Sequence, residues 1–546
     1  MNLSNEHLVA TNRERRIIFQ DDILANSVFR SENHKPDRLT KIVDFYMSRF
    51  DSDNNQIDSV WHEWGEGNTA VWPSKILPRT ENVFPGWWSI DVDPIDVLLK
   101  ETRKRGREVF LSYRINGSDN DRLFDPPHSM DQPIPIKKIH PEWLLRKWHA
   151  YWNFEVAEVR ELKLRILLEM AEMYDFDGIN IDFARVPILF KQGKQWECRD
   201  LLTDFMRQLR SKLLSIGRHR NRPFLLAARV PENLVGCHFD GIDIETWVKE
   251  SILDIIVVGT RTAKADVVGF RNITDRSRIK IYPSWDDHHS SDGYRHPSLE
   301  IWRGVCANWW RQGADGMHTF NLMMGSPKSE QALGIKPAPR HRGGEEDCTD
   351  VNDQWKTQCQ VFSEIGNTET LKFCNKIFFV ERRGGGHNSE VVPDPNNWYT
   401  PRHMYFQSNM QANLPMDLCM DSSTDRLLEI EVSDHVSNLT ENVKDVFLLL
   451  AYSIASKSDF SLAQSGKEDQ ILLEVRINNL LLDPPQRVKE TKTALNTTFD
   501  HWLQYKVPSK YLALGVNLIG TRPCKIPIGD DLKIFIEKLE LHVIYN

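Results

Sequence analysis

The run Phe176-Asp177-Gly178-Ile179-Asn180-Ile181-Asp182-Phe183-Ala184-Arg185-Val186-Pro187 decides how the rest of the chain is read. Residues 178–181 have the profile of a short buried strand, which stops at an acid, an aromatic residue and an arginine. Ahead of it Val159, Leu162, Ile166, Met170 and Met173 recur at helical spacing, so the order is helix, tight turn, strand. In a (β/α)8 barrel the C-terminal ends of the strands face substrate, which puts Asp182 and Arg185 where chemistry is done.

Working outward from that run, seven more buried strands are expected. Three precede it, at 17–19, 57–64 and 108–113, the last ending at Arg114 and Asn116. Four follow: 224–228 before Arg229 and Glu232, 253–258 before Arg261, 279–283 before Ser284-Trp285-Asp286-Asp287-His288, and 316–320 before Asn321. Amphipathic helical segments alternate with them, with an eighth at 355–371. The alternation predicts an α/β chain with a closed parallel barrel enlarged by loops. An open doubly wound sheet competes, but no Gly-rich phosphate loop follows the first strand and every strand ends in polar groups.

The pattern then changes. Residues 382–401 carry Gly384-Gly385-Gly386 and several prolines, and from Leu427 onward short period-two runs predict an antiparallel, jelly-roll-like sandwich. The expected division is a barrel over 1–375, a boundary segment over 376–426 and a β-sandwich over 427–546.

Composition narrows the function. Among 546 residues no apolar run approaches a membrane span, and the net charge of −8 comes from mixed signs, so neither a membrane nor a nucleic acid is an expected partner. The first sixteen residues are polar without an apolar core, which predicts a cytoplasmic protein, or a periplasmic or secreted one if a signal has been removed. Eight cysteines without a C-x-x-C pair suggest no zinc site, no disulfide framework and no cofactor. Seventeen tryptophans, several in expected loops, suit the apolar faces of sugar rings. The oligomeric state stays open.

Residues 176–183 resemble the fourth-strand signature of chitinase-type barrels, D-G-x-D-x-D-x-E, and together with Arg185 and Pro187 are similar to the D-G-I-x-x-D-x-x-R-x-P strand of glycosyl-hydrolase-like barrels. The resemblance implies a glycoside hydrolase. It departs at Ala184, where the chitinase general acid would fall and where alanine has no proton to give. In other glycosidase barrels a fourth-strand Asp is the nucleophile, which points to Asp182. Residues 502–508 and 512–517 resemble galactose-binding-like jelly rolls, which implies an accessory fold.

Glycoside hydrolysis needs two carboxyl groups flanking the scissile bond. Asp182 is the first candidate, with Asp287, Asp286 or Glu232 as partner. Arg114, Arg185, Arg229 and Arg261 end four successive strands and would match an anionic sugar, sulfated or uronic-acid-containing. Asn116, His62, Glu63, Trp64, Trp285, His288, His318 and Asn321 complete the expected sugar contacts. The alternatives are a catalytically inert carbohydrate-binding barrel and a metal-dependent hydrolase.

Overall fold

The computed structural model describes residues 3–22, 38–65, 69–79, 85–88, 90–116, 135–145, 151–185, 187–259, 261–287, 292–294, 296–335, 351–382, 412–418, 424–456, 472–488, 502–525 and 532–546. Eight parallel strands close into a barrel: β1 (Ile17–Asp21), β2 (Ile57–Gly65), β3 (Glu108–Arg114), β4 (Gly178–Asp182), β5 (Leu225–Val230), β6 (Ile255–Val258), β7 (Lys280–Asp286) and β8 (Met317–Phe320). Each pairs with its neighbour in sequence, and β1 pairs with β8 in the register Ile18↔His318. The helices that matter below are α1 (Asn5–Asn12), α2 (Leu39–Met47), α3 (Pro94–Lys104), α4 (Ala157–Met173), α5 (Arg199–His219), α6 (Ile244–Lys249), α7 (Val267–Thr274), α8 (Leu299–Arg311) and α9 (Val351–Glu364). No helix among the described residues is long and apolar enough to cross a membrane.

Strand pleating sorts the side chains into two compartments, because successive residues point to opposite faces. Ile18, Trp61, Phe110, Leu225, Ala227, Ile255, Val257 and Tyr282 fill the barrel interior. The opposite faces pack against the helices in one large core. Gly178 opens β4 because a Cβ there would lie 2.3 Å from the Phe110 ring. Asp177 just before it accepts the Val109 N–H at 2.9 Å and pairs with Arg103 at 3.1 Å, so the Asp-Gly pair of the quoted run sets the start of the strand.

The N-terminal ends of the strands are sealed by α1 and the residues after it. Arg15 forks onto Glu108 at 2.7 and 2.6 Å, and Ser59 adds a hydroxyl to the same carboxylate. Asp254, at the foot of β6, takes both Arg210 Nη atoms at 2.7 and 2.9 Å and the His7 ring at 2.9 Å. Burial pushes the Asp254 carboxyl up, but Arg210 and His7 outweigh it and hold the group well below the usual carboxylate range.

The C-terminal part forms two antiparallel sheets. Its strands are β9 (Lys376–Phe379), β10 (Met416–Leu418), β11 (Arg426–Val432), β12 (Val443–Ser456), β13 (Leu472–Ile477), β14 (Leu480–Leu481), β15 (Gln486–Val488), β16 (Trp502–Lys506), β17 (Gly515–Lys525) and β18 (Leu532–Tyr545). One sheet runs β9-β18-β12-β16-β15, with β10 also on β18, and the other runs β11-β17-β13-β14. Leu448 and Leu541 of the first share a buried core with Ile430, Val475 and Ile519 of the second. Two strands, β9 and β10, come from the stretch that the sequence suggested as a boundary segment. β9 lies against α8 so closely that a Cβ on Gly304 would stand 2.1 Å from the Ile377 carbonyl oxygen.

Candidate functional site

Pleating decides which expected site residues reach the lumen. In β2, Trp61 fills the interior, so Glu63 faces inward with it while His62 and Trp64 point into the helix layer. His62 there meets the Tyr46 hydroxyl and lies 3.3 Å from Thr102 Oγ1. Burial, reinforced by Arg49, lowers its pKa to about 3, so the ring stays neutral. Trp285 also points outward, with its ring 5.0 Å from Trp302 and 6.2 Å from Phe379. These three residues stand behind the wall of the mouth. Trp72 and Trp87 are likewise core residues.

The inward residues at the C-terminal ends form a ring. On β4, Asp182 Oδ1 accepts the backbone N–H groups of Ala184 and Arg185, each at 3.0 Å. Its Oδ2 accepts Arg229 Nη1 from β5 at 3.1 Å. Arg229 also donates to the Gly259 carbonyl at 3.1 Å and lies 4.4 Å over the Phe320 ring. On β3, Arg114 pairs with Asp22 at 2.7 Å, and its backbone N–H reaches Glu63 at 3.4 Å. On β7, Asp286 accepts the Asn321 amide at 3.2 Å. Asn321 has φ 61°, a left-handed turn that asparagine tolerates and that follows β8 directly.

Beneath the ring lies a polar floor. Ser284 donates to His318 Nδ1 at 2.9 Å, His318 Nε2–H donates to Gln20 at 3.0 Å, and Asn180 donates to Ser112 at 3.0 Å. Because Ser284 and Gln20 occupy both ring nitrogens, the tautomer of His318 follows from its partners. Burial and then Arg229 hold this imidazole well below its ordinary pKa.

The remaining expected residues are dispersed. Asn116 is fully buried and spends its amide on the backbone: it donates to the Trp152 carbonyl at 3.1 Å and to that of Ile188, and accepts the Trp152 N–H at 2.9 Å. Glu232 is buried in the turn after β5. Asp287 is held by the His296 ring at 2.9 Å and by backbone bonds to Phe320 and His296. Arg185 is half-buried and Arg261 buried, whereas His288 lies outside the described residues. None of Asp182, Glu232, Asp286 and Asp287 is more than 4% exposed. Among the described residues no group of three His, Cys, Asp or Glu side chains is arranged to hold a metal ion. His62 and His318 lie in different compartments, one in the helix layer and one in the barrel interior. Sequence reasoning missed Gln20, Asn180, Ser284 and His296. The first three carry a period-two signal, and His296 carries none.

No family model matches the chain. Over 138 residues it is 27% identical to the glycosyl hydrolase DigH of Escherichia coli strain K12, covering 23% of this chain and 30% of that protein; the same figures hold for DigH of Shigella flexneri. The chain thus spans less than a third of the curated relatives it matches. Among solved structures, the GH36 α-galactosidase AgaB from Geobacillus stearothermophilus aligns with TM-score 0.33 at 9% identity, over 99% of this chain and 58% of the other. A cycloisomaltooligosaccharide glucanotransferase from Paenibacillus sp. gives TM-score 0.32 at 9% identity, over 98% and 58%. At these scores the likeness carries no functional argument, and the closed barrel rests on its own strand pairing.

Proposed function

We propose that the chain is a glycoside hydrolase whose substrate enters the C-terminal mouth of the barrel, with Asp182 as the carboxylate opposite the developing oxocarbenium charge. The observation that carries this reading is the setting of Asp182. It ends a buried inner strand and is fixed by two backbone amides and one arginine contact, which leaves one lone-pair direction on Oδ2. A carboxylate oriented in this way needs little reorganisation when positive charge develops nearby. The partial similarity to a glycosyl hydrolase supports the same class. Asp286 on β7 is the preferred partner, because it faces the lumen across the mouth and is steadied there by the neutral Asn321 amide. Asp287, tied to His296, and Glu232 follow.

Of the four arginines that end β3 to β6 or follow them, Arg114 and Arg229 face Asp22 and Asp182 and balance those acids. A sulfated or uronic-acid-containing oligosaccharide is the substrate class to test first.

A second reading, the inert carbohydrate-binding barrel, is favoured by two observations. Asp182 is fully buried and largely satisfied, and Ala184 stands where related strands carry an acid.

The deciding experiment is Asp182→Asn on a panel of neutral, uronic-acid-containing and sulfated oligosaccharides. On the hydrolase reading, turnover falls by at least about 10³-fold while sugar binding persists. An activity that falls only in step with the amount of folded protein assigns Asp182 a structural role. Binding without cleavage by the unaltered protein favours the inert barrel.

A further inference from the structure

Two loops leave the mouth on the side of the C-terminal sheets, one after β6 and one after β7. The first carries Arg261 and the second follows Asp287. Both are held by the short segment that continues β9. Glu381 Oε1 accepts the Lys264 backbone N–H at 2.9 Å and the Thr262 hydroxyl. Asp292 links the loops, taking the Ala263 N–H on its carboxylate at 2.8 Å and the Arg382 N–H on its carbonyl at 2.9 Å. Arg382 is anchored in turn by Glu537 of β18 at 2.9 Å. Gly293, with φ +90°, lets the second loop pass within 3.0 Å of the Arg382 side chain at the position a Cβ would occupy.

We infer that the C-terminal sheets shape the mouth: Glu381 is a positioning residue for the loop after β6, acting through Thr262 and Lys264, while the Arg382 backbone holds the loop after β7 at Asp292. This rests on the reading of the mouth as the sugar site. The same interface has a second polar cluster, whose hydrogen bonds run to the end of α8. There Glu431 of β11 meets Arg311 and accepts Gln312 Nε2 at 2.7 Å at the far end of α8. The backbone N–H groups of Ala263 and Lys264, by contrast, depend for their acceptors on side chains that β9 holds in place. Trp309 Nε1 also holds the Ala263 carbonyl at 3.1 Å from the barrel side, so loss of the Glu381 cap loosens the amide side of the loop first.

The test uses the full chain and three variants. Glu381→Met removes the acceptor and keeps the volume, Glu381→Gln keeps one acceptor oxygen, and Glu431→Met removes the other cluster. Amide hydrogen exchange over residues 261–266 and 292–296 is read beside binding and turnover of the oligosaccharide panel. In Glu381→Met, exchange of the first loop rises about fivefold or more, the effect of losing a hydrogen bond of ordinary strength. Sugar binding weakens or turnover falls by a similar factor, Glu381→Gln restores most of both, and Glu431→Met changes neither. Unchanged exchange in Glu381→Met overturns the inference, as does faster exchange with unaltered handling of sugar, or an equal effect from Glu431→Met. A wild-type protein that neither binds nor cleaves any sugar of the panel sinks the sugar reading and the positioning role with it. The exchange data tell that failure from a failure of the coupling.

Discussion

The two ends of the barrel both bury charge, and they do so differently. At the closed end each acid is gripped by a guanidinium fork: Arg15 on Glu108 and Arg210 on Asp254 each make two contacts of 2.9 Å or less. At the mouth, Asp182 meets one arginine nitrogen at 3.1 Å plus two backbone amides, and Asp286 takes a neutral amide at 3.2 Å. Bidentate pairs are strong and geometrically fixed, and breaking one leaves an uncompensated charge in a dry interior. A carboxylate held by one guanidinium nitrogen keeps acceptor capacity for another partner. The closed end is therefore built to stay shut, and Asp182 at the mouth keeps acceptor capacity for a further partner.

That contrast breaks if the closed end matters to turnover. Glu108→Ala strands Arg15 and is expected to lower stability by about 3–5 kcal/mol, measured by denaturant unfolding, with the specific activity of the folded fraction unchanged. A selective loss of activity would mean that the closed end communicates with the mouth.

The pH dependence of stability sharpens the contrast. His62 stays neutral in the fold with a pKa near 3, while an unfolded chain protonates it near 6.5. The unfolded state then binds more protons, so stability falls as pH drops from about 6.5 towards 3, and His318 acts in the same sense. Asp21, beside His62 in the wall, opposes this. Burial raises it to about 6 despite Arg49, so the folded state binds its proton first and gains stability between about pH 6 and 4. Asp254 at the closed end has a depressed pKa, and its contribution is lost only as pH falls below about 4. His62→Gln should thus flatten the slope between pH 6 and 4 by up to ~1.4 kcal/mol per pH unit in chemical denaturation. An unchanged slope would sink the assignment of His62 as a buried neutral ring.

The smallest expected effect comes from Thr11, whose hydroxyl lies 3.0 Å from the His7 carbonyl and 3.3 Å from Asp254. Thr11→Val should cost about 1 kcal/mol of stability and nothing in activity. A loss several times larger would show that the plug over the closed end acts as one cooperative unit.

The eight strands were legible because parallel strands buried on both faces read as apolar runs that end abruptly in polar residues. The same property hid the phase. In Val60-Trp61-His62-Glu63-Trp64 both faces are buried, so no alternation marks which residues look inward, and His62 and Trp64 were expected at the mouth beside Glu63. Trp285 was misplaced for the same reason. The pairs Asp22–Arg114 and Asp182–Arg229 bridge different strands, so nothing local in the sequence tells which of the four arginines face an acid. The strands β9 and β10 went unread because they are short and stand beside a Gly- and Pro-bearing stretch, where local pattern gives way to pairing with distant residues.

Gly304 carries a consequence for how the molecule assembles. With no side chain, it lets α8 touch the backbone of β9 near Ile377, yet β9 is held in its sheet by the register Lys376↔Val543. The outer face of a barrel helix is therefore completed by a strand that waits for a partner far along the chain. Closing so distant a pair is entropically slow, and the apolar back of α8 stays open to solvent until it happens. During that interval the folding chain exposes apolar surface on α8, the kind of surface through which partly folded chains associate.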